Sequence, residues 1–196
     1  MEAIHGEIPL GARLFFLALF FDYLDGVAAR LLKSSSKRGE ALDRFCDRIT
    51  QCIVPAITYS VSGSVPEVLT ATLLVVAGAR RYVLGRDPRF FKGAPLFIPA
   101  LMIESSALGG FEFPWILLLI AVVMTIIPIK YPRSKETSGG SSLWYLRPLP
   151  VLFLILLTDP FVRYVCLAVF AGSVALLIVG PVIWKIWGEG VLKKED

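Results

Sequence analysis

The stretch DYLDGVAARLLKSSSKRGEALDRFCDR, Asp22 to Arg48, sets four aspartates at the junction of two greasy runs. Asp22 and Asp25 are three apart and Asp43 and Asp47 four apart, so on two helices each pair projects from one face. Gly39 lies one further turn before Asp43 on that face. If the helices pack antiparallel across the SSSKR turn, all four carboxylates converge near one surface. Ionised carboxylates at membrane depth are costly unless paired, hydrated or bound to metal. Four of them therefore demand compensating charge.

The surrounding chain is of membrane grade. Of its 196 residues 56% are hydrophobic and 18% charged, with a mean hydropathy of +0.69. These values lie outside the ordinary soluble range. Apolar runs broken by Gly, Pro and charge predict an all-α polytopic bundle of about seven helices. They fall near 10–32, 39–61, 66–84, 94–109, 113–129, 146–158 and 161–187, forming one domain over 1–196. Cys46, Cys52 and Cys166 match neither a zinc site nor a disulfide framework and read as small buried hydrophobes. The opening MEAIHGEIPLGARLFF lacks the basic, apolar and small-residue sequence of a signal peptide.

Charge orients the bundle, because loops rich in Lys and Arg stay on the cytoplasmic side. With the Lys33, Lys37, Arg38 turn facing in, alternation also places Arg86, Arg89, Lys92, Lys130, Arg133, Lys135, Arg147, Lys193 and Lys194 inside. Eighteen of the twenty basic residues then share one side, leaving Arg13 and Arg163 outside. The expected N-terminus is outside and the C-terminus inside. The net charge of +4 is thus explained by topology and anionic lipid rather than by nucleic acid.

Two readings of the acids stand at this point. Hard divalent cations such as Mg²⁺ or Mn²⁺ take oxygen ligands and share their remaining positions with substrate phosphates. Gly26, Ala29 and Gly39 would then let a phosphorylated ligand approach the backbone, with Arg30 adding charge-assisted bonds. Alternatively, the acids pair with Arg30, Arg44 and Arg48 as a solvated interfacial belt.

Read as D-x2-D-G-x2-A-R-x8-G-x3-D-x3-D, the stretch resembles the signature of the CDP-alcohol phosphatidyltransferase family at every fixed position: Asp22, Asp25, Gly26, Ala29, Arg30, Gly39, Asp43 and Asp47. The resemblance implies two divalent metal ions, Mg²⁺ or Mn²⁺, held by the four aspartates against the pyrophosphate of a CDP-linked lipid. An acceptor hydroxyl attacks the lipid-side phosphorus and CMP leaves. Asp22, Asp25 and Asp43 correspond to metal ligands, and Asp47 to the general base that also touches the second metal. Gly26, Ala29, Arg30 and Gly39 correspond to the CDP-lipid site. A homodimer in the cell membrane, its site facing the cytoplasm, is the family expectation.

Three stretches resemble the serine-transferring branch, the phosphatidylserine and archaetidylserine synthases. They are LDRFCDRITQCIVPA, AGARRYVLGRDPRFFKGAP and IKYPR. Gln51 and Cys52 stand where that branch has Phe-Gly. The implied donor is CDP-diacylglycerol or CDP-archaeol and the implied acceptor is L-serine. Its carboxylate points to Arg80 and Arg81, with Arg86, Arg89 and Lys92 next, and Thr50 orients the acceptor. Inositol phosphate or glycerol phosphate are alternative acceptors, and a non-catalytic membrane scaffold or lipid-binding relic is a third reading. Glu104, a lone acid in the fourth helix, suits an ammonium partner or a helix contact equally. Family members usually carry a helix before the signature helix, and the chain starts too late to contain it.

Overall fold

The computed structural model describes residues 2–31, 37–61, 63–84, 90–132, 161–183 and 185. The helix expected at 146–158 lies outside them. The described residues form six helical runs rather than seven, all-α apart from one small pair of strands.

Helix α1, Glu2–Leu31, begins earlier than the expected residue 10 and continues through Pro9. The polar lead that reads as a loop in the sequence is therefore its first two turns. The second run was expected as a single helix over 39–61. It comprises α2 (Lys37–Arg48), a π-helical segment (Ile49–Ile53) and α3 (Val54–Val61). Pro55 explains the widening. It has no N–H for the Gln51 carbonyl, and its ring would crowd that oxygen in α geometry. Opening the preceding turn relieves the clash, and Val54 N–H donates to the Ile49 carbonyl, five residues back.

Helix α4 spans Val65–Leu84, close to the expected 66–84. Helices α5 (Phe97–Gly109) and α6 (Trp115–Ile126) are shorter than their apolar runs. Strand β1 (Phe90–Lys92) precedes the first of those runs and strand β2 (Lys130–Pro132) follows the second. Helix α7 covers Phe161–Ile183. It is the one described helix both long and apolar enough to cross a bilayer.

Helix α5 is the hub. Its Ile103 packs with Cys52 of the π segment and with Ala56, Leu74 and Leu118 from α3, α4 and α6. Its Ala100 and Leu108 pack with Ala12, Phe16, Val162 and Cys166 from α1 and α7. Ile98 and Met102 face Ala121, Tyr131 and Leu177. A helix apolar on every side must be enclosed, and the others surround it. The outer surface is greasy as well: Val65, Val83, Tyr164 and Ile178 are each at least 65% exposed. Apolar surface on that scale suits lipid rather than water.

The strands were not expected in an all-α chain. They pair antiparallel, Phe90 opposite Pro132, Phe91 opposite Tyr131 and Lys92 opposite Lys130. Gly93 closes the corner after β1 at φ +84°, and its N–H donates to the Ile129 carbonyl at 2.6 Å. A Cβ there would meet the Thr125 carbonyl oxygen. Gly93→Ala is expected to destabilise the fold by about 1–3 kcal/mol. Thermal unfolding in neutral detergent checks this, and an unchanged midpoint would contradict the close approach.

Candidate active site

Asp22 and Asp25 lie one turn apart late in α1, Asp22 half-buried and Asp25 exposed. Gly26, Ala29 and Arg30 continue the same helix, and their side chains lie outside the described set. On α2, Gly39 and Asp43 are exposed and Asp47 is half-buried. Gln51, inside the π segment, donates from Nε2 to Asp47 Oδ1 at 3.0 Å. That bond crosses the widened turn and ties the carboxylate to it.

Two packing contacts set the level of these acids. Gly78 on α4 lies so close to Cys52 that a Cβ would overlap its sulfur. One turn from Cys52 toward α2 is Arg48, and one turn from Gly78 toward the end of α4 is Arg81. Because the helices run oppositely, Asp47, Arg48 and Arg81 share one level, and all three act electrostatically on Cys52. Leu19 of α1 and Val54 of α3 pack against the same core cluster. Asp22 follows Leu19 by one turn, and Asp47 precedes Val54 by two. All four aspartates therefore lie at one end of the bundle.

Level is not contact, however. Among the described residues, no group of three or more His, Cys, Asp or Glu side chains gathers closely enough to hold a metal ion. Helix α2 leans on α4 rather than on α1, leaving Leu42 and Phe45 exposed. The donor set, carboxylate oxygens, fits a hard divalent cation in kind.

Two of the residues expected on the acceptor side bond the backbone of the scaffold. Arg80 Nη1 donates to the Ile126 carbonyl at 2.7 Å. Arg81 Nη2 donates to the carbonyls of Lys92 at 2.8 Å and Gly93 at 2.7 Å, and its guanidinium lies 5.8 Å from the Phe91 ring centre. Thr50 is half-buried in the π segment and Lys92 is exposed on β1. Arg89 lies outside the described residues. Glu104 resolves as a helix contact: it is fully buried and accepts a 3.0 Å bond from Thr58 Oγ1. Eleven residues separate Thr58 from Asp47, which puts Glu104 far from the acid end.

Gln51 and the π segment were missed from sequence, although Pro55 four residues after Gln51 was the available signal. The joining of FFKGAP to IKYP was also missed. Each was noted separately, but as loops.

A family model for CDP-alcohol phosphatidyltransferase matches residues 1–179. The chain belongs to that family. It is 32% identical over 143 residues to an archaetidylserine synthase of Methanothermobacter thermautotrophicus, covering 67% of this chain and 61% of that protein. It is 31% identical over 189 residues to a CDP-diacylglycerol–serine O-phosphatidyltransferase of Helicobacter pylori, covering 85% and 76%. It is also 28% identical over 130 residues to a phosphatidylcholine synthase of Rhizobium johnstonii, covering 59% and 52%. The chain thus spans about three fifths of the archaeal relative and half of the rhizobial one.

Arg81→Ala is expected to lower stability by about 1.5–3 kcal/mol through loss of its charged hydrogen bonds. Thermal unfolding measures this. An unchanged melt with only a raised serine KM would instead make Arg81 an acceptor ligand.

Proposed function

We propose that the chain is a multi-pass cell-membrane enzyme that transfers a phosphatidyl or archaetidyl group from a CDP-linked lipid to L-serine. Its site faces the cytoplasm. The observation that carries this reading is the signature, complete at eight positions within a family match over 1–179, with its acids on α1 and α2 at one end of the bundle. Serine is favoured because a serine-transferring and an archaetidylserine-making relative both match above 30% identity over two thirds or more of this chain. A membrane site open at its rim also suits one water-soluble and one lipid substrate.

Asp22, Asp25, Asp43 and Asp47 would hold two divalent ions, Mg²⁺ or Mn²⁺, which when bound offset charge on the donor pyrophosphate. Gly26, Ala29 and Gly39 leave room for the CMP half, and Arg30 offers it a guanidinium. Asp47 takes the serine hydroxyl proton. The oxygen so freed forms a bond to the lipid-side phosphorus, and the bond from that phosphorus to CMP breaks. Gln51 donates to one oxygen of the Asp47 carboxylate, which orients that group on the helix. Thr50, in the same segment, orients the acceptor. Arg80 is exposed, and with Arg89 supplies cations for the serine carboxylate. Two chains pair as a homodimer.

A second reading keeps the chemistry and changes the acceptor to glycerol phosphate or inositol phosphate. The exposed lysines of β1 and β2 favour it, since they suit a phosphate. An assay of CMP release from CDP-lipid with Mn²⁺, offering serine, glycerol phosphate and inositol phosphate separately, decides between them. Release with serine alone is expected. Release with a phosphorylated acceptor alone selects the second reading, and release with none of them removes the enzyme reading. Asp47→Asn is expected to lower kcat by about 10²–10⁴ while leaving the CDP-lipid KM within about threefold. Parallel loss of both would contradict its role as base.

A further inference from the structure

The β1–β2 pair has two unlike faces. Phe91 and Tyr131 oppose each other on the inner face. Tyr131 is 2% exposed and donates from its hydroxyl to the Leu177 carbonyl at 2.8 Å. Its ring packs on Gly180 so tightly that a Cβ there would overlap it. Residues alternate along a strand, so Phe90, Lys92 and Lys130 occupy the outer face.

On that face Lys92 and Lys130 stand directly opposite each other, both exposed. Facing residues of an antiparallel pair hold their Cβ atoms about 5 Å apart, and like charges in that relation are destabilising. Lys130 Nζ lies 5.1 Å from the Phe90 ring centre, an attraction that keeps it on the face rather than letting it swing away. Among the described residues neither ammonium pairs with an acid. Arg81, on the Phe91 side of the pair, bonds the Lys92 and Gly93 carbonyls and fixes the strand beneath them. Two positive charges thus face each other on a strand pair only six residues large. An anion would turn that repulsion into binding.

The depth of the pair indicates which anion. At the α-helical rise, Leu177 and Gly180 lie roughly 24 and 28 Å along α7 from Phe161. A bilayer's hydrocarbon core is about 30 Å thick, so the strands anchored there sit at headgroup level. Large apolar side chains are exposed at the same end: Tyr82 and Val83 on α4, Ile127 after α6, and Val182 on α7. A soluble phosphate would have no use for that greasy border, whereas acyl chains would.

We propose that Lys92 and Lys130 form a docking site for the phosphate of an anionic phospholipid, its acyl chains lying along the exposed apolar residues of α4 and α7. The proposal rests on the reading that α7 spans the bilayer. It does not depend on serine being the acceptor, and it competes with the reading in which these lysines hold an acceptor phosphate.

The test uses the full chain purified in neutral detergent, with thermal unfolding as the readout. Wild type, Lys130→Gln, Lys130→Arg and the Lys92→Gln/Lys130→Gln double variant are melted with dioleoyl phosphatidylglycerol, dioleoyl phosphatidylcholine or millimolar inorganic phosphate. Phosphatidylglycerol is expected to raise the wild-type midpoint by about 3 °C or more, with phosphatidylcholine giving no such gain. Lys130→Arg keeps the gain, Lys130→Gln loses most of it and the double variant loses it all. Without anionic lipid, Lys130→Gln is expected to melt roughly 1–3 °C above wild type, because a like-charge pair has been relieved. Equal phosphatidylglycerol gains in wild type and Lys130→Gln would overturn the site. Inorganic phosphate reproducing the gain would make it a soluble-anion site and overturn the lipid. Since no activity is measured, failure here leaves the transferase reading standing, and failure of serine transfer leaves this one standing.

Discussion

Pro55 cannot donate a hydrogen bond to the Gln51 carbonyl, and the acid end of the molecule is arranged around that missing bond. The helix widens into a π segment to clear the proline ring. The widened turn brings Cys52 hard against Gly78 of α4 and places Gln51 where it bonds Asp47. A regular α-helix would carry one residue fewer in that turn, and Asp43 and Asp47 would face a different direction relative to α3. The backbone irregularity therefore sets the phase of the chemistry-bearing half of the helix against its packed half.

A second brace holds the other side of the same end. Arg81 reaches from α4 to the backbone after β1, β1 pairs with β2, and Tyr131 of β2 bonds α7. Arg80 fastens α4 to the end of α6. Three helices distant in sequence, α4, α6 and α7, are tied together by two arginines, one tyrosine and a six-residue strand pair. Buried beneath this brace, α5 contacts every cluster of the core. The rigid end is thus α4 to α7, while α2 leans on it with Leu42 and Phe45 uncovered. The half-site on α2 has less packing to hold it than the half-site on α1.

Helix positions were legible because apolar runs, prolines and glycines punctuate the chain; α4 lies within a residue of its expected start. The acid motif was legible because its spacing encodes helical faces directly. The strands were not, since three-residue strands 38 residues apart have no periodicity of their own and are created by pairing. The roles of Arg80 and Arg81 were hidden for a related reason. A paired arginine at a helix end reads the same whether it meets a ligand or a backbone carbonyl, and only the return of the chain at Gly93 and Ile126 distinguishes them. The polar lead of α1 was masked by Pro9, which reads as a stop yet sits within the helix. Glu104 was ambiguous until Thr58 appeared as its partner.

The central claim is that the acids of α1 and α2 are the two halves of one metal-binding site. Electron paramagnetic resonance of Mn²⁺ titrated into the purified chain with CDP-lipid tests it most directly. Two ions about 3.5–4 Å apart share exchange coupling, so the account predicts two bound Mn²⁺ per chain with a broadened, coupled signal that Asp22→Asn and Asp43→Asn each abolish. A single isolated six-line signal, or coupling that survives removal of either half, would contradict it.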